Sequence, residues 1–178
     1  SINTQPSRTR FAELVHGRRV ALVGSGTSLS GGKLLSELEG FETIVTMKSH
    51  PRELLTRPYG PVGHLTYLNS HMSRELVREQ NVHDWLSELA SRQPASLIVT
   101  KGLSILNRSD NVRRVEALPR ILFSSAQLGL RAVTDLLVAS PAKLKLFNFD
   151  CYSKPIKHDP RSWTQVTQRR QGHRHSDS

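Results

Sequence analysis

The chain has 178 residues, room for one α/β domain with a single core and too few for two. Hydrophobic residues make up 37% and charged residues 22%, the balance of a globular chain rather than of one disordered throughout. The 25 Lys and Arg exceed the 15 Asp and Glu by ten, which favours an anionic partner: nucleic acid, a membrane surface, or the phosphates of a small ligand.

Read from the start, residues 1–10 are polar and carry no periodicity, so residues 1–17 are expected to form a flexible N-terminal arm. Short runs rich in Val, Ile, Leu and Phe follow: Arg19 to Gly24, Phe41 to Met47, His64 to Leu68, Ser96 to Thr100, Arg120 to Phe123 and Lys143 to Phe149. Helical spacing stands between them at Gly32 to Glu39, Met72 to Gln80, Trp85 to Ser91 and Gly129 to Ala139. In the last of these Leu130, Val133, Leu136 and Leu137 are expected on one side, and Ser140-Pro141 is a stop. Residues 102–119 show no clear period and are expected to be irregular. Buried strands alternating with helices predict a Rossmann-like α/β domain over residues 18–153, with a largely parallel sheet and helices on both faces.

From Lys154 onward the composition changes to six Lys and Arg, three His and two Asp, with few large apolar groups. Such a segment cannot bury much surface, so 154–178 reads as a solvated basic tail or as a basic flap over an anion. No apolar run approaches the ~18–20 residues of a membrane span, and no signal pattern opens the chain. The single Cys151 leaves neither an intramolecular disulfide nor a thiolate zinc cluster, and cytoplasmic residence is the expectation.

The stretch Val20 to Gly32 carries the strongest chemical signal. A strand runs through Gly24, Ser25, Gly26, Thr27 and Ser28 toward a helix, so backbone N–H groups and hydroxyls can converge on an anion. The dinucleotide fingerprint fails at Leu29, and the P-loop fails because Gly32-Lys33 is followed by Leu34. No acidic residue stands at the end of the second run, where Met47-Lys48-Ser49 disfavours a nicotinamide dinucleotide and Lys48 could meet a phosphate. A second turn, Ser124-Ser125-Ala126-Gln127-Leu128-Gly129, also passes from an apolar run into a helix. In one parallel sheet both turns would open on the same carboxyl edge and frame one nucleotide.

These residues resemble the sialyl motifs of sialyltransferases of the eukaryotic type and of their bacterial relatives. VALVGSGTSLSGGKLLSEL with FETIVTMK is similar to the large motif, and SSAQLGLRAVTDLLVASPAKLKLFNFDCY to the small one, over residues 18–155. The resemblance implies that Gly24, Ser25, Gly26, Thr27 and Ser28 cradle a nucleotide-sugar donor, of cytidine monophosphate type. Ser125, Gly129 and Asp150 are expected to complete the donor site, and Lys48, read from its charge rather than from the resemblance, to meet a phosphate there. It further implies inverting transfer to a sugar or other hydroxyl acceptor without a catalytic metal or resident cofactor. One His takes the acceptor proton and another assists the departing phosphate.

Imidazole titrates near neutral pH and suits both tasks. His158 falls where the family keeps the phosphate-side His, and His175, with His173 as rival, where it keeps the base; His64 and His71 could line the same edge. The chain departs from the family at Ser25, at Met47-Lys48, at Gln127-Leu128 and at Asn148, which stands in place of a glycine. Those departures and the basic segment leave a second reading open, a catalytically lapsed nucleotide fold that binds nucleic acid or serves in a larger assembly.

Overall fold

A computed structural model describes residues 6–24, 29, 31–48, 62–93, 96–100, 110–115 and 128–149. In chain order the elements are α1 (Pro6–Val15), β1 (Arg19–Val23), α2 (Gly31–Leu38), β2 (Thr43–Met47) and β3 (Gly63–Leu68). Then come α3 (Ser70–Arg78), α4 (Val82–Arg92), β4 (Ser96–Thr100), β5 (Val112–Arg114), α5 (Leu128–Val138) and β6 (Lys143–Phe147). The six strands form one sheet in the order β5-β4-β3-β2-β1-β6. Every neighbouring pair is parallel.

Strands buried on both faces cannot alternate apolar with polar residues, and β1 and β3 are apolar almost throughout for that reason. Only Arg19 of β1 is exposed, and all six residues of β3 are buried. Alternate side chains of each strand serve opposite faces. Val20, Leu22, Val45, Leu65, Tyr67 and Val99 meet Phe11, Leu14 and Val15 of α1 and Ala132 and Leu136 of α5. On the other face Ala21, Val23, Ile44 and Phe147 meet Leu34 and Leu38 of α2. Further along it, Leu68, Ile98 and Val112 meet Met72 and Leu76 of α3 and Trp85, Leu86 and Leu89 of α4. The steps from β1 to β2 and from β3 to β4 use α2, α3 and α4 on one face, whereas α5 precedes β6 on the other. Crossovers of one hand running in opposite directions require that arrangement. The chain is therefore an α/β, Rossmann-like domain with helices on both faces.

Local chemistry sets the ends. Asn69 caps α3, its side chain accepting from the Met72 N–H at 2.8 Å, so the helix begins two residues before the expected Met72. Gly17 and Gly40 leave α1 and α2 at φ of +65° and +84°, a region that disfavours side chains.

Three expectations are corrected. Residues 6–15 of the expected arm are helix α1, because Phe11, Leu14 and Val15, spaced three and one apart, face the sheet and are buried. Within 102–119 lies strand β5, whose Val112 joins the apolar core and whose Arg113 is neutralised by Asp135. In α5 Leu136 is buried and Val133 packs against the core as expected, but Ala132 and Asp135 also face inward while Leu130 and Leu137 are exposed. The expected stripe is rotated because Asp135 has partners inside. The expected strand at 120–123 and the basic segment 154–178 lie outside the described residues.

Candidate functional site

The sheet order changes direction between β1 and β6, and in open α/β sheets ligands bind outside the carboxyl ends of the strands at such a switch point. Gly24 leaves β1 there, its N–H donating to the Phe147 carbonyl at 2.8 Å. A Cβ on Gly24 would stand 2.6 Å from the Asn148 carbonyl oxygen and 3.2 Å from Cδ2 of Phe149. The absent side chain is what lets the end of β6 close on the turn.

Asn148 fixes the other side of the turn. Its φ of 57° is left-handed, which Asn tolerates better than most residues. Its Oδ1 accepts from the Leu29 N–H at 2.8 Å, and its Nδ2 donates to the Leu29 carbonyl at 3.0 Å. This two-bond clip joins the end of β6 to the residue two before α2. The position takes a positive φ, and Asn supplies it while adding the clip.

Gly129, in the first turn of α5, completes the constellation. Its Cβ would lie 3.1 Å from Cε1 of Phe149 and 3.7 Å from Cε of Met47. One half-buried ring thus fills the space left by two glycines, Gly24 on β1 and Gly129 on α5. Lys48 follows β2 at the same edge, exposed, with φ 59° and its N–H donating to the Tyr67 carbonyl at 3.0 Å. Of the predicted donor residues the structure places Gly24, Gly129 and Lys48 at one edge. Ser25, Gly26, Thr27, Ser28, Ser125, Asp150, His158 and His175 lie outside the described residues.

His64 does not line the edge. It is buried in the first half of β3, with Nε2 3.2 Å from Thr46 Oγ1. His71 is exposed in the first turn of α3, at the edge itself.

Sequence reasoning missed a polar network behind the site. Tyr67 donates to Asp135 Oδ2 at 2.6 Å, and Arg113 grips the same carboxylate through both terminal nitrogens, at 2.5 and 2.9 Å. The Arg113 guanidinium also lies 3.8 Å from the centre of the Phe11 ring. Burial pushes the Tyr67 hydroxyl well above its ordinary pKa, with the Asp135 charge and hydrogen bond adding to the rise and Arg113 opposing it. Tyr67 therefore stays a donor. The network anchors α5, whose first turn carries Gly129, to β3 and β5.

A hollow of about 290 Å³ lies at the opposite, amino edge, lined by Arg19, Leu35, Leu38, Glu39, Gly40, Phe41 and Glu42. Its Glu42 carboxylate is already held by the Arg19 N–H at 3.0 Å and by Arg18 at 3.1 Å. Those bonds, the Arg19 amide first, lower the Glu42 pKa. Among the described residues no group of three His, Cys, Asp or Glu is placed to hold a metal ion. No described helix is long and apolar enough to cross a membrane.

Comparisons with protein-family models, with curated proteins and with solved structures found no match.

Proposed function

We propose that this chain is a sialyltransferase-like glycosyltransferase that binds a nucleotide-sugar donor at the switch point between β1 and β6. The observation that supports the proposal is the packing of Gly24 and Gly129 against one ring, Phe149, with the Asn148 clip to Leu29 beside it. In this reading the turn 24–28 supplies N–H groups and hydroxyls to the donor phosphate, with Lys48, Ser125, Gly129 and Asp150 around it. His175 accepts the proton of the acceptor hydroxyl as its oxygen attacks the anomeric carbon. The anomeric carbon–phosphate oxygen bond breaks with inversion, and His158 assists the departing phosphate. The protein works in the cytoplasm.

Calorimetry with cytidine, uridine and guanosine monophosphates tests the donor site. Binding of one of them is expected, weakened at least tenfold by Gly24→Val, whose side chain meets the Asn148 carbonyl. Absence of binding by all three overturns the proposal.

The second reading keeps the nucleotide fold and drops the transfer, with 154–178 holding nucleic acid. The six basic residues of that segment favour it. Its mark is nucleotide binding without turnover, together with nucleic-acid affinity that disappears when 154–178 is deleted.

A further inference from the structure

Among the described residues the two edges differ in how their cations are partnered. Toward the amino edge Arg18 meets Glu42 at 3.1 Å, Arg92 at the end of α4 meets Glu88 at 2.6 Å, and Lys143 lies over the Phe41 ring. The carboxyl edge differs. Lys33 stands in the first turn of α2, Lys48 after β2, Arg114 at the end of β5 and Arg131 in the first turn of α5. Lys33, Lys48 and Arg114 are exposed and Arg131 half-buried. None of the four forms an ion pair among the described residues. The first turns of α2, α3 and α5 hold no acidic residue, and α3 adds the exposed His71.

This row is longer than one small ligand. From β2 to β5 are three strand steps, ~15 Å at about 4.8 Å each, and Lys33 and Arg131 extend it toward the switch point. A donor nucleotide covers the switch-point end alone. A polymer with one charge every few ångströms covers the row, and at ~3.4 Å of rise per nucleotide 15 Å corresponds to about four nucleotides. RNA also presents a 2′-hydroxyl at each step, the kind of nucleophile that a transferase at the switch point would use.

We infer that the carboxyl edge from Lys33 and Arg131 through Lys48 to Arg114 is a track for single-stranded RNA, the acceptor of the proposed transfer. The acceptor role rests on the donor reading; the track rests on the charge distribution. Recognition is through phosphates and independent of sequence.

Fluorescence anisotropy of a labelled 12-nucleotide oligouridine with the full chain, titrated with salt, tests the track. Each of Lys48→Glu, Arg114→Glu and Arg131→Glu is expected to weaken binding on the order of tenfold at low salt and to reduce the salt slope by about 0.7 to 1. Arg92→Glu, the same charge change at the other edge, is expected to leave affinity within twofold. Far-ultraviolet circular dichroism confirms that each variant is folded before it is compared. Equal weakening by Arg92→Glu and Arg114→Glu overturns the track, because net charge alone then explains binding. No binding at low salt overturns it as well, and so does heparin binding with the same variant pattern in the absence of RNA binding. Failure of the unmodified chain to bind any nucleoside monophosphate, with RNA binding intact, overturns the donor reading and leaves the track.

Discussion

The two faces of the sheet are held by different physics. On the face under α2, α3 and α4 most contacts are apolar, with Leu76, Leu89 and Ile98 fully enclosed and the neutral pair of His64 and Thr46 beside them. On the face under α1 and α5 the apolar contacts surround a carboxylate, a guanidinium and a phenol that satisfy one another. The apolar face stabilises in proportion to the area it buries, about 1.5–3 kcal/mol for each fully buried large side chain. The mixed face gains little from its ion pair beyond the desolvation it requires, but losing one member leaves a charge with no partner. The first face answers to changes of volume, and the second fixes where α5 sits.

The largest expected effect breaks the mixed face. Asp135→Ala strands Arg113 and the Tyr67 hydroxyl and should cost about 3–5 kcal/mol in urea unfolding followed by circular dichroism. A cost below 1 kcal/mol, on the order of a surface pair, would show that the network is not closed from water. Replacing all three members together, as Tyr67→Phe, Arg113→Met and Asp135→Leu, should return most of that loss. On the apolar face Leu89→Ala should cost about 2–5 kcal/mol, set by the cavity left behind. No partial substitution nearby should rescue it by charge.

A smaller effect sharpens the role of the β6 terminus, where the two faces meet the site. Asn148→Gly keeps the left-handed backbone and removes both bonds to Leu29, a loss of about 1–3 kcal/mol. Asn148→Ala should cost a further ~1 kcal/mol because its Cβ resists positive φ. Equal costs would mean that the backbone relaxes out of φ 57°.

The smallest effects are read in pH. The raised pKa of Tyr67 means that the unfolded chain ionises first above about pH 10. Stability present below that pH is then lost as pH rises, and Tyr67→Phe should remove that part of the alkaline slope. Glu42 has the opposite sign. Its lowered pKa gives stability present above the ordinary carboxylate range and lost as pH falls, so Glu42→Gln should flatten the acid limb slightly. An unchanged acid limb would show that the Arg18 and Arg19 bonds are replaced by water.

How much of this was legible in the sequence depended on whether the signal was local. The interior strands were, because a strand covered on both faces must be a continuous apolar run, and Ser96 to Thr100 has the same bounds in sequence and structure. β5 was not, because its Arg113 looks like a surface residue until Asp135, 22 positions further on, is known to face it. Helix α1 was hidden for the same reason: five polar or charged residues mask the three apolar ones that seat it. At the site, Gly24 and Gly129 stood out as glycines at strand-to-helix turns. The clip made by Asn148 did not, because it needs a backbone angle and a partner that no local pattern specifies.

The pairing of β6 with β1 carries a consequence for how the protein is made. Asn148 and Leu29 are 119 residues apart, so at ~5–20 residues per second one wall of the crevice waits roughly 6–24 s on the ribosome for the other. During that interval β1 to β4 can pair among themselves while the outer side of β1 stands open. The glycine turn lacks its second wall through those early steps, and the nascent chain must protect that strand edge by other means until α5 has laid β6 against it.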